Sequence, residues 1–208
     1  MEVWEDLVER SHELAAALVD CVSYETYDDS PRIVLSDVLT SLAFEHAHSA
    51  RVLLQIGVLP SALVVHRSQF ETALRALWVL YAASDELVVK LSAELTTETE
   101  LATQKIPLAA EMLKQLAPKA PANAFKPLNE FKTYSWGALN SYVHAGIHPI
   151  RRHAEGYPLV LLANVMKNIN GLTVSSAMQA AILTGVPNLQ REVLDVAERY
   201  PDCLTPKT

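Results

Sequence analysis

Apolar residues recur along the chain at intervals of three and four, the spacing of one helical face. Runs of alternating β-branched residues bounded by Asn-Gly or Asp-Gly turns are missing. The pattern predicts an all-α chain. A first helix is expected from about Val3 to about Val22, with Val3, Leu7, Leu14, Leu18 and Cys21 forming one stripe. A polar turn over residues 23–30 follows. Ser30-Pro31 reads as an N-cap with proline at the first helical position, where its missing N–H costs nothing. This second helix runs to about Ile56 and stops at Gly57. The connection Val58-Leu59-Pro60-Ser61 is short, so a third helix, to about Ala83, should fold back antiparallel on the second.

Ser84-Asp85-Glu86 is expected to cap a fourth helix. A break or new cap over 96–100 precedes a helix to about Leu116, which Pro107 should kink. Residues 118–122 form the clearest internal linker. The stretch 123–150 reads as helical but interrupted at Pro127, Gly137 and Gly146, ending at Pro149. A long apolar helix follows from about Pro158 to Thr184, and Gly185 and Pro187 introduce a short terminal helix to about Tyr200. The expected architecture is one domain, an antiparallel multi-helix bundle of about six to eight helices.

Composition narrows the function classes. A chain of 208 residues can bury a core without staples. Cys21 and Cys203 have neither the number nor the spacing of a disulfide scaffold or a zinc site, so reduced thiols in the cytoplasm are expected. The acidic start Met1-Glu2-Val3-Trp4-Glu5-Asp6 is unlike a signal peptide. The most apolar segments, Ala73 to Ala83 and Pro158 to Met166, are shorter than the roughly 20 residues a membrane helix needs. A net charge of −7 argues against nucleic-acid binding by a broad basic surface, although Arg151-Arg152-His153 is locally basic. Half the residues are apolar, which leads us to expect a homodimer that covers part of this surface.

Candidate chemistry lies in polar residues on apolar helix faces. A helical wheel places Arg67 and Glu71, an i, i+4 pair, on the same face of the third helix as Leu63, Phe70, Leu74, Trp78 and Tyr81. Charges turned inward must be matched, because an uncompensated buried charge costs several kcal/mol. Glu45 and His48 share a face of the second helix in the Glu-x-x-His arrangement of carboxylate-bridged metal bundles, but a second copy is absent. His144 and His148, four apart, are the nearest analogue. A mononuclear metal site of Glu45, His48, His144 and His148 is one expectation to test. The segment 136–148 also concentrates Asn140, Ser141, Tyr142, His144 and His148 in a helical stretch, where such side chains compete with the backbone for hydrogen bonds. Either they pack against neighbouring helices or they serve a ligand.

Two stretches carry a resemblance. Phe70-Glu71-x-x-x-Arg75-x-Leu77-Trp78 with Ala82-Ala83-Ser84-Asp85-Glu86, and later Leu139-Asn140-Ser141-Tyr142-Val143-His144-Ala145-Gly146-Ile147-His148, resemble an uncharacterised bacterial family known as a domain of unknown function. The similarity extends from about Arg67 to Gly185. It implies an all-helical, bacterial, cytoplasmic protein and brings no activity, substrate or cofactor. A broader similarity is to helical ribonuclease toxins of the HEPN type, which dimerise and whose active site sets a His shortly after an Arg on one helix. Arg67 and Arg75 are followed by no such His, and Arg151 and Arg152 stand too close to His153. This departure argues against ribonuclease chemistry of that sort.

Phosphate-binding glycine loops, the Gly-x-Ser-x-Gly elbow and paired Cys-x-x-Cys are absent. A helix-turn-helix DNA reader is disfavoured by the acidic balance. The leading expectation is a helical binding or interaction module in which Arg67, Glu71, Asn140, Tyr142, His144 and His148 line a polar pocket or brace a surface. The alternative is an enzyme, either a metal-dependent hydrolase or a divergent HEPN-like ribonuclease using Arg, His and Tyr. The sequence leaves the cofactor and the ligand unassigned.

Overall fold

The computed structural model describes residues 2–102 and 106–206. Its described residues form α1 (Glu2–Cys21), α2 (Pro31–Gln55), α3 (Leu59–Tyr81), α4 (Asp85–Leu91), α5 (Thr97–Ala102), α6 (Ala109–Leu116), α7 (Ala122–Val143), α8 (Ile147–Glu155), α9 (Leu159–Thr184) and α10 (Leu189–Glu198). A 3-10 turn over Pro201–Cys203 follows, and no strand occurs among the described residues. None of the described helices is long and apolar enough to cross a membrane. Cys21 and Cys203 are both free thiols.

The fold is all-α as expected, but ten helices exceed the range of about six to eight read from the pattern, and local chemistry explains the surplus. Proline cannot donate to the helix ladder and clashes with the preceding turn. Pro107 accordingly lies between α5 and α6 in place of the kink expected within one helix; residues 103–105 of that stretch lie outside the described residues. The segment 123–150 divides at another place than foreseen. α7 runs unbroken through Pro127 and Gly137, because Pro127 stands near the exposed start of the helix and forgoes one bond there. The chain turns at Ala145, which takes a left-handed φ of 49°, and the Gly146 N–H donates to Ser141 O at 2.7 Å. A Cβ at Gly146 would lie 2.5 Å from Ser141 Oγ, so this corner requires glycine. Pro149 then falls in the first turn of α8, where its missing N–H has no helical partner to lose.

Helix ends follow their residues elsewhere. Ser84 Oγ accepts from Leu87 N–H at 3.3 Å and caps α4. Ser30 occupies the N-cap of α2 without a side-chain bond, and its own N–H donates to Asp28 Oδ1 at 2.8 Å. Arg32 closes the other end of the α2–α3 hairpin by donating to the carbonyls of Val79 and Ala83 and to Asp85. The Val79 carbonyl in the last turn of α3 and the Ala83 carbonyl just beyond it thereby find a partner that the helix does not supply.

α3 is the central helix, packed on α2, α6, α7 and α9. One apolar cluster, with Leu14, Leu18, Leu54, Met166 and Ile169, joins α1, α2 and α9. A second, with Phe70, Trp78, Met112 and Leu116, joins α3 to α6. Enclosure on several sides explains why buried residues of α3 include His66 and Gln69 as well as the face that the wheel selects.

Candidate functional site

α9 places Asn170, Thr173, Ser176 and Gln179 at every third position, all of them buried. Inside a core each such group needs a partner. The carbonyl of Ile169 is a hub. Thr173 Oγ1 donates to it at 2.8 Å and Gln69 Nε2 of α3 at 3.0 Å. With its amide nitrogen so engaged, Gln69 offers Oε1 to His66, whose Nδ1 donates at 2.8 Å. His66 Nε2 is left as a buried lone pair with no partner, and the Phe131 ring packs edge-on at 5.2 Å. Burial lowers the His66 pKa to about 4, against the smaller upward pull of the Gln69 bond. The imidazole is therefore neutral at physiological pH. Arg51 of α2 joins the same chain by donating from Nη1 to Thr173 Oγ1 at 3.2 Å. Asn170 Nδ2 donates to Ser11 Oγ and to Cys203 O, tying α9 to α1 and to the 3-10 turn.

Two turns further along α9 stands Gln179. Ser36 Oγ donates its single proton to Ala76 O at 3.0 Å, so towards Gln179 it can act only as an acceptor. Gln179 must then present Nε2, at 2.9 Å. Its Oε1 takes no hydrogen bond although the residue is 6% exposed. Gln179 lines a cleft of about 420 Å³ between α3, the start of α7, α9 and α10. Ala73, Leu77, Val174, Ile182 and Leu194 make its walls apolar, while Tyr81, Asn123 and Gln190 add polar groups. No Asp, Glu, Lys, Arg or His lines it. Burial, then the nearby Tyr27, raises the Tyr81 pKa, so the phenol keeps its proton.

The six residues singled out by sequence lie elsewhere, and none of them lines this cleft. Arg67 and Glu71 pair with each other at 3.1 Å on α3, and the Arg67 guanidinium stacks over the Trp136 ring of α7. Asn140 follows one turn later. Tyr142 is buried beside the exposed His148, their ring centroids 6.4 Å apart. The His148 N–H donates to Ser141 Oγ at 3.2 Å, and His144, the C-cap of α7, is exposed. Among the described residues no hydrogen bond or ion pair links Arg67 or Glu71 to Asn140, Tyr142, His144 or His148.

The metal site expected from Glu45, His48, His144 and His148 does not form: no group of three or more His, Cys, Asp or Glu among the described residues could hold a metal ion. The reason is topological. α2 packs on α1, α3, α4 and α9, whereas α7 packs on α3, α6, α8 and α9, so the two histidine-bearing segments do not pack on each other. His48 faces His12 of α1 instead.

Sequence reasoning passed over Ser36, Arg51, His66, Gln69 and Gln179. A usable signal was present in the three-residue spacing of polar side chains along α9, the most apolar long helix of the chain. Polar groups repeated on one line of such a helix must find partners inside.

A family model covers residues 40–206. The chain belongs to the DUF6988 family, a family of unknown function. No curated protein and no solved structure matches the chain. The cleft of this DUF6988 protein, from Thr40 to Leu194, falls wholly inside the matched region, as do His66, Gln69 and Arg51. All the candidates read from the sequence do too, whereas His12 and Ser36, which emerge only from the structure, precede it.

Proposed function

We propose that this DUF6988 chain is a binding module for a small, neutral, largely apolar molecule that carries an N–H or O–H donor. The observation that carries this reading is Gln179 Oε1, a buried acceptor with no partner in an uncharged, largely apolar cleft. An unmet amide oxygen costs about 1–3 kcal/mol, and a ligand donor would recover it. The volume of about 420 Å³ falls in the range of small-molecule sites, which pair apolar walls with few convergent polar groups. The absence of charged side chains from the lining selects against ions, since nothing there would offset their desolvation. In this reading Arg67, Glu71 and Trp136 brace α7 against α3, Asn140, Tyr142, His144 and His148 hold the α7–α8 corner, and the chain self-associates as a homodimer. Sedimentation as a monomer at micromolar concentration would remove that last element.

The cleft is tested with N-phenyl-1-naphthylamine, a neutral fluorophore with one N–H, beside its anionic sulfonated analogue. The neutral probe should bind saturably and the sulfonate should not. Gln179→Met should weaken the neutral probe roughly tenfold, the equivalent of one hydrogen bond, and Ala124→Phe should block it. Equal binding of both probes, or binding indifferent to both substitutions, refutes the reading.

One arrangement favours a second reading, RNA cleavage at the α7–α8 corner. Tyr142 lies beside His148 and within the electrostatic reach of Arg152 and Tyr157, and His153 Nδ1 is 3.3 Å from Tyr157 OH. Degradation of RNA by the purified chain that disappears in both His148→Ala and Tyr142→Phe would support it. Intact RNA after prolonged incubation would dismiss it.

A further inference from the structure

Arg51 lies on the interior side of α2 with 3% of its surface exposed. Its Nη1 donates to Thr173 Oγ1, its Nε has no partner, and among the described residues no carboxylate lies within ion-pair distance of it. Burial lowers its pKa to about 10, which leaves the guanidinium charged at neutral pH. A cation buried without a counter-charge costs several kcal/mol. A core that needed only apolar filling here could have used Met or Leu at no such cost.

The neighbours add to the imbalance. His12 of α1 donates from Nε2 to Gln55 Oε1 at 3.2 Å, which fixes its ring. The ring centroids of His12 and His48 are 6.3 Å apart. Burial lowers the His12 pKa, against the upward pull of its bond to Gln55 and with the nearby Arg51 and His48 adding to the lowering, and no acid is among the groups that act on it. Three basic groups therefore gather where α1 meets α2, one of them deep and without a counter-charge, one half-buried and one exposed. This junction shares no lining residue with the cleft at Gln179, and the inference stands independently of the neutral-ligand reading.

We propose that the α1–α2 junction binds a small oxyanion of the phosphate type, held by the Arg51 guanidinium together with His12 and His48. A guanidinium presents its N–H groups in a fork that matches phosphate oxygens, and such charge-assisted bonds gain strength away from water. The anion supplies the counter-charge that the chain itself withholds from Arg51. The same chemistry serves free phosphate and the phosphate group of an ester.

The test uses the full chain and inorganic phosphate, with chloride at matched ionic strength as reference. Phosphate should raise the melting temperature and give a saturable calorimetric isotherm. Arg51→Met, which keeps an unbranched apolar stem and removes the charged head, should fold at least as stably in phosphate-free buffer and lose the phosphate response. His48→Gln, at an exposed position, should fold normally and weaken phosphate roughly tenfold, which keeps the test decisive if Arg51→Met does not fold. Adenosine monophosphate binding tighter than phosphate would assign the natural anion to an ester, and weaker binding would assign it to the free ion. No phosphate response in the unmodified chain, an equal response to chloride, or an undiminished response in both variants overturns the proposal.

Discussion

The guanidinium carbon of Arg67 lies 4.6 Å from the centroid of the Trp136 ring, and Glu71 meets the same guanidinium from the side at 3.1 Å. The side chain of Arg67 is 16% exposed and that of Glu71 is 39% exposed. Removing the arginine would thus leave a carboxylate still wetted by solvent. Arg67→Ala should destabilise the chain by about 1–2 kcal/mol in urea denaturation, from the lost stacking and stem packing more than from the ion pair. Arg67→Lys should recover little of it, because an ammonium cannot stack as a plane does. A loss above about 3 kcal/mol would instead mean that Glu71 becomes an uncompensated buried charge.

The depressed pKa of His66 predicts a pH slope. Between the ordinary value of 6.5 and about 4, the unfolded chain binds a proton that the folded one refuses. Stability from this source is complete above pH 6.5 and falls as the pH drops through that window, by at most about 1.4 kcal/mol per pH unit for one proton. Denaturation midpoints measured from pH 7 to pH 5 should show the decline before most carboxylates titrate. His66→Gln, which carries no proton equilibrium there, should flatten it.

Gly185 ends α9 with a φ of +66°, and a Cβ there would stand 3.0 Å from Tyr27 Cβ. Gly57 ends the α2 side of the hairpin with a φ of +81° and open space around it. Gly57→Ala should therefore cost the backbone strain alone, about 1 kcal/mol. Gly185→Ala should cost measurably more, since the loop whose Tyr27 N–H donates to Leu183 O would have to move. Equal losses in thermal denaturation would show that Tyr27 yields freely.

Ser36 and Gln179 make a closed thermodynamic cycle. Ser36→Ala strands the Gln179 amide and should cost about 1–3 kcal/mol, whereas Ser36→Ala with Gln179→Met replaces both partners and should recover most of the loss. Additive losses in chemical denaturation would mean that the two side chains do not depend on each other.

Much of the helical order was legible because it is written in local chemistry. Pro31, Gly57, Ser84 and Gly185 each act on the backbone beside them, and the ends they mark agree closely with α2, α4 and α9. The division of α7 from α8 was misplaced because it depends on Ala145 turning left-handed and on Ser141 filling the space beside Gly146, neither of which a propensity records. The interior polar groups were harder still. Gln69 answers to Ile169 and Arg51 to Thr173, each partner on a helix remote in the chain. On a helix enclosed from several sides, such as α3, a hydrophobic stripe no longer tells inside from outside. Arg67 and Glu71 drew attention as a sequence-local pair, and a sequence-local pair is what the structure contains.

Three bonds pin α9 along its length: Gln69 to Ile169, Arg51 to Thr173 and Ser36 to Gln179. Sliding the helix by one turn, about 5.4 Å, would unseat all three together and strand the buried Gln69 and Gln179 amides and the Arg51 guanidinium. α9 is consequently the fixed spindle of the molecule. The cleft at Gln179 is accordingly built on a wall of α9 that those bonds hold in register.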